Sequence, residues 1–100
     1  MIRKQKRKLV WGRWNSEHIK KHNVTIDEVE EVYNKQELTG NAKKGRKLII
    51  SKTLSGRIIT VILSYEKQSA PYVVSARDAS VKERNFYYEK IVQAKTNSTI

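Results

Sequence analysis

A chain of 100 residues supports a single domain, burying roughly 60–70% of the surface its unfolded form exposes, and the absence of cysteine excludes a disulfide framework, a thiolate zinc site and a cysteine nucleophile. With 21 Lys and Arg against 10 Asp and Glu the net charge is +11, which points to an anionic partner, nucleic acid first and an acidic protein second; a merely solubilising basic surface is the plain alternative. The longest apolar run, Ile58 to Leu63, is far short of the ~20 residues of a membrane helix, so a soluble protein with no membrane partner is expected.

Residues 1–8 are nearly all basic from Arg3 to Lys8, without apolar periodicity, and read as a flexible arm able to supplement phosphate binding. No signal peptide follows, because Trp11-Gly12-Arg13 interrupts Leu9-Val10 before a hydrophobic region forms. A cytoplasmic location is therefore expected, and the sequons at Asn23 and Asn97 carry no glycosylation consequence.

The domain proper is expected over residues 9–93. Leu9 to Trp11 reads as a short edge strand, with Trp14 anchoring it to the core, and Asn15 or Ser16 as the cap of a short helix through His22. Asn23 tolerates the left-handed conformation that ends helices. Thr25-x-x-Glu28 has the spacing of a capping box and opens a second helix through about Tyr33. Its apolar face is Ile26, Val29, Val32 and Tyr33, with Asp27, Glu28, Glu30 and Glu31 left to solvent or a basic partner.

Asn34 to Gly45 reads as a loop. Strand candidates Lys47–Lys52 and Arg57–Ser64 are joined by the tight turn Thr53-Leu54-Ser55-Gly56, and a loop from Glu66 to Pro71 leads to a third at Tyr72–Ala76. The Ile58–Leu63 run lacks polar alternation, which places it centrally with both faces covered. Ser80-x-x-Glu83 is a second capping box, opening a helix from Val81 to about Val92 with Val81, Tyr88, Ile91 and Val92 as its apolar stripe. Residues 94–100 are expected to fray. The expected class is α+β: a small antiparallel sheet of three to four strands, with two N-terminal helices and a C-terminal helix packed on it.

Candidate chemistry rests on few residues. His18 and His22, four apart, share a helix face beside Lys21; a third metal ligand is not apparent, so neither a metal nor a cofactor is expected. Proton transfer suits the pair better, since surrounding positive charge favours the neutral imidazole that accepts a proton. His22 can also simply satisfy helix-terminal carbonyls. Neither a glycine-rich phosphate loop nor a G-x-S-x-G elbow occurs. Arg77 falls in the short connector between strand and capped helix, where little freedom is lost on meeting an anion. Arg84 on the second helical turn could hold the same phosphate, or simply pair with a nearby carboxylate.

Three blocks carry a resemblance: Trp14 through Lys21-His22-x-Val24 and the Glu-Glu helix; Gly45-Arg46 through Ser55-Gly56-Arg57 and its apolar strand; and Ser75-Ala76-Arg77-x-Ala79 with Glu83-Arg84 and a tyrosine beyond. In order and spacing the chain, from about Val10 to Tyr88, resembles the BrnT toxins of bacterial type II toxin–antitoxin systems, small proteins with a fold similar to the RelE/ParE ribonucleases. It departs from the family in Asn23, where glycine is common after the Lys-His pair, and in the basic Ala42-Lys43-Lys44-Gly45, where an acidic cluster is common before Arg46. The resemblance implies metal-independent RNA cleavage by attack of the 2′-hydroxyl on the adjacent phosphate. His22 would move the proton, Lys21 and Arg77 would stabilise charge, and His18, Arg46, Arg57 and Arg84 would contact RNA. It also implies neutralisation by a BrnA-like antitoxin, through which alone DNA would be contacted. The alternative is a non-catalytic basic module that binds nucleic acid or an antitoxin.

Overall fold

The structure, a computed structural model, describes residues 9–65 and 70–98; the basic arm and most of the loop before Pro71 lie outside them. The elements are α1 (Arg13–Lys20), α2 (Ile26–Lys35), β1 (Leu38–Asn41), a 3₁₀ turn (Lys43–Gly45), β2 (Lys47–Lys52), β3 (Ile58–Ser64), β4 (Tyr72–Asp78) and α3 (Val81–Ser98). The class is α+β. The strands form one antiparallel meander in the order β1-β2-β3-β4, with α1 and α2 on one face and α3 on the other.

β3 lies inside the sheet as its unbroken apolar run requires, its side chains alternating between the two faces. Ile59, Val61 and Leu63 join Ile49, Val73 and Ala76 beneath Ile19 of α1 and Val29, Val32 and Tyr33 of α2, forming the larger core. Ile58 turns the other way and joins Ile50, Ala79 and Tyr87 in the smaller core beneath α3. Val73 and Ala76 are both fully buried on the α1/α2 side despite their odd spacing. A bulge explains it: Ile62 pairs with Ser75 but Leu63 with Val73, so one extra residue of β4 resets the alternation.

Several expectations need correction. The predicted loop from Asn34 contains β1, paired Leu38 to Ile50 through Asn41 to Lys47. Trp14 is 58% exposed and anchors nothing; Trp11 packs against the core instead. The cap of α1 is Gly12, whose N–H donates to Asn15 Oδ1 (2.7 Å). Asn15 itself is buried and donates from Nδ2 to Val10 O and Val73 O (2.9 and 3.0 Å). The expected edge strand reduces to a single parallel bridge between Val10 and Tyr72.

α3 also differs from its expected form. It continues past Val92 to Ser98, through residues expected to fray. It is Tyr87 and Ile91 that face the sheet, whereas Val81, Tyr88 and Val92 are exposed. One turn earlier Glu83 lies on the buried line of the helix, which brings the cap carboxylate, not Val81, against the strands.

Candidate nucleic-acid interface

Gly56, at φ +93°, closes the β2–β3 turn in a conformation that L side chains rarely adopt, and delivers Arg57 to the start of β3. Arg57 then joins three elements. Its Nε and Nη2 hold the Asp78 carboxylate at the end of β4 in two-pronged fashion (2.6 and 3.2 Å), and Nη1 meets both oxygens of Glu28 in the first turn of α2 (3.0 and 3.2 Å). Nη1 and Nη2 also donate to the carbonyls of Asn23 and His22, the exit of α1 (2.6 and 3.2 Å).

All five guanidinium N–H groups are thus engaged within the protein. Asp78 and Glu28 raise the basicity of Arg57 still further against the opposing effect of its burial, and Asp78 does most of this. The Asp78 carboxyl is held below its ordinary range chiefly by Arg57, with Arg84 adding a smaller pull. For Glu28, burial pushes upward, but the Thr25 N–H and Arg57 together outweigh it. The resemblance implies an RNA contact for Arg57; in the structure its guanidinium holds α1, α2 and β4 together.

Arg77 was expected in a connector. It lies within β4 instead, opposite Thr60, on the face that α3 covers. Its Nη1 and Nη2 donate to the two oxygens of Glu83 (2.7 and 3.0 Å). Glu83 also accepts from the Ser80 N–H and the Thr60 hydroxyl (2.8 and 2.9 Å), while its own N–H donates to Ser80 Oγ (3.1 Å), completing the expected capping box. Arg77 above all drives the Glu83 carboxyl down to about 2. The Thr25/Glu28 box of α2 closes likewise, Glu28 N–H to Thr25 Oγ1 at 3.1 Å and Thr25 N–H to Glu28 Oε1 at 2.9 Å. Each helix-capping carboxylate has therefore recruited one of the candidate arginines.

The remaining candidates separate by position. Asn23 takes the left-handed conformation expected of it, at φ 58°, so α1 stops and leaves Lys21 and His22 exposed at its exit. Arg57 ties that exit to Asp78, where the Arg84 charge also acts; Lys21, His22, Arg57 and Arg84 thus border one end of the sheet. Arg77 reaches the same end from the α3 side. Arg46 follows the 3₁₀ turn at the opposite end, where Lys47 pairs with Leu63, and is not part of this group.

A feature the sequence reading missed runs along α1. The Trp14 and His18 rings stack with centroids 4.8 Å apart and planes 8° from parallel, and His18 meets His22 edge-on at 5.5 Å. The i, i+4, i+8 spacing was its legible signal. These rings form a half-exposed aromatic ladder leading to Lys21, a surface able to stack on bases while the lysines meet phosphate. The chain matches no family model and no curated protein. Among the described residues no helix is long and apolar enough to cross a membrane.

Proposed function

We propose that this protein binds RNA on the α1 ladder and cleaves it without a metal, as the toxin of a BrnT-like toxin–antitoxin pair with a RelE/ParE-like fold. The observation that carries the reading is the exposed Trp14–His18–His22 ladder ending beside Lys21 in a chain of net charge +11. A base stacked on Trp14 would lay its neighbouring phosphate toward the exit of α1. His22 would take the 2′-hydroxyl proton, and Lys21 would meet the charge that develops on the phosphorane; Arg84 is the flanking cation best placed to contact the phosphate.

Arg77 is then a positioning residue. Its carboxylate-bound guanidinium fixes the start of α3, and with it Arg84. A BrnA-like antitoxin with an acidic segment would cover the same cations, and a cytoplasmic site of action follows from an RNA target.

One observation favours a second reading. Both Arg57 and Arg77 are already held by carboxylates, as expected of a scaffold that binds RNA without cutting it. The two readings separate in one assay, with purified protein and a labelled RNA in EDTA. Cleavage is expected, leaving a 2′,3′-cyclic phosphate, and it should vanish with 2′-O-methyl RNA although binding persists. His22→Ala and Lys21→Ala should each lower the cleavage rate at least a hundredfold, far more than they weaken RNA binding. Binding without cleavage by the wild-type protein would establish the second reading.

A further inference from the structure

A groove of about 440 Å³ opens on the α1/α2 side of the sheet, at the end away from Arg57. It exists because α2 is short. Gln36 turns left-handed at φ 44° and ends the helix, leaving the last pairs of β1 and β2 uncovered on that face. In the β1–β2 register Thr39 stands opposite Ile49 and Asn41 opposite Lys47, so strand alternation sends all four side chains into the groove. Ile49 is the apolar floor. Tyr65, 39% exposed beyond the end of β3, and Gln36 form its walls, and Gly40 lies at its rim.

The lining has a specific chemistry. Tyr65 offers a planar ring; Gln36 and Asn41 offer carboxamides, which both donate and accept; Lys47 offers the one cation. Its Nζ donates to Asn41 Oδ1 at 3.0 Å, which ties the two lining side chains together and leaves two N–H groups of the ammonium and the Asn41 amide N–H groups for a ligand. A flat aromatic wall, amide edges and a single ammonium are the groups that recognise a base and its phosphate, and the volume falls in the range of small-ligand sites. α2 stands between this groove and the α1 ladder with Asp27 and Glu30 exposed. That acidic ridge keeps the two cationic surfaces apart.

We propose that the groove is a nucleotide-binding site, with the base stacked on Tyr65, its edge hydrogen-bonded by Gln36 and Asn41, and its 5′-phosphate held by Lys47. The assignment stands on the groove's own residues and does not require that the protein cleave RNA.

The test is a titration of the full-length, isotope-labelled protein with AMP, adenosine and ribose 5-phosphate, followed by amide chemical shifts. AMP should give saturable shifts at Gln36, Gly40, Asn41 and Tyr65, and ribose 5-phosphate should bind at least tenfold more weakly. Tyr65→Ala should weaken AMP tenfold or more, whereas Tyr65→Phe should retain it. Lys47→Gln should weaken AMP and leave adenosine unchanged. A well-dispersed spectrum of each variant establishes that it folds, and Tyr65→Leu, which keeps the bulk but not the ring and should also weaken AMP tenfold or more, serves where the alanine variant does not. His22→Ala, which removes the proposed cleavage, should bind AMP as the wild type does, so loss of one reading leaves the other intact. Equal binding of ribose 5-phosphate, shifts confined to α1, or wild-type AMP affinity in Tyr65→Ala would each overturn the assignment.

Discussion

Glu83 accepts from four donors at once: both prongs of Arg77, the Ser80 N–H and the Thr60 hydroxyl. Protonation would set all of them against a neutral group, which is why its carboxyl sits near 2 instead of 4.5. The folded form refuses a proton that the unfolded chain accepts, so the stabilisation is complete above about pH 4.5 and is lost as pH falls toward 2. Glu83→Gln should therefore cost about 2 kcal/mol at pH 6 but only about 0.5 kcal/mol at pH 2.5, measured by urea unfolding at both pH values. Arg77→Ala should cost a similar amount, about 2 kcal/mol, the half-exposed guanidinium keeping it below the cost of breaking a buried pair. A loss of RNA cleavage in that variant is then read against its lower stability; Lys21 and His22, exposed and free of such ties, are the cleaner probes. Trp14 shows the converse. Trp14→Ala should change stability by less than about 0.5 kcal/mol, because the ring supports no core, yet weaken RNA binding roughly tenfold in an anisotropy titration, since one stacked base contributes about 1–3 kcal/mol.

At the level of elements, what was legible in the sequence was local. Both capping boxes, the left-handed Asn23 and the central β3 follow from residues a few positions apart, and the structure has all three. β1 was missed because Leu38-Thr39-Gly40-Asn41 has the composition of a turn; its strand conformation comes from pairing with β2 and from Glu37. The Glu37 carboxylate accepts from the Lys52 N–H and the Tyr87 hydroxyl (2.8 and 2.9 Å), contacts that no local pattern announces. The β4 bulge was invisible for the same reason, and it changes which face Arg77 occupies relative to Val73. Among the candidate site residues, the exposure of Lys21 and His22 followed from the helix stop, but the carboxylate partners of Arg57 are 29 and 21 residues away and that of Arg77 is 6 away, and all depend on the folded sheet. The weight placed on the caps can be checked. Ser80→Ala should lower stability by about 1 kcal/mol in chemical denaturation, and the loss should shrink in a Glu83→Gln background, where the reciprocal half of the box is already weakened.

For the molecule as a whole, the question is which part of the +11 charge faces RNA. Arg57 and Arg77 are internally neutralised, and the α2 surface is acidic, so net charge overstates the cationic area available for binding. Lys20 and Lys21 at the exit of α1 are exposed, whereas Lys90 stands on α3 across the sheet, over the Phe86 ring at 5.5 Å. Each phosphate neutralised on binding releases condensed counterions, so the logarithm of the association constant should fall linearly with the logarithm of salt concentration, with a slope proportional to the lysines and arginines engaged. If RNA lies along α1, Lys20→Gln with Lys21→Gln should make that slope shallower by about 1 to 1.5 for a single-stranded RNA, and Lys90→Gln should leave it unchanged. Equal effects from the two faces would mean that RNA is held by the diffuse field of the protein and not by the ladder, in which case Trp14→Ala should also leave the affinity intact. The salt titration and the tryptophan variant therefore test the same surface through independent forces, one Coulombic and one of stacking, and a true interface on α1 requires both to respond.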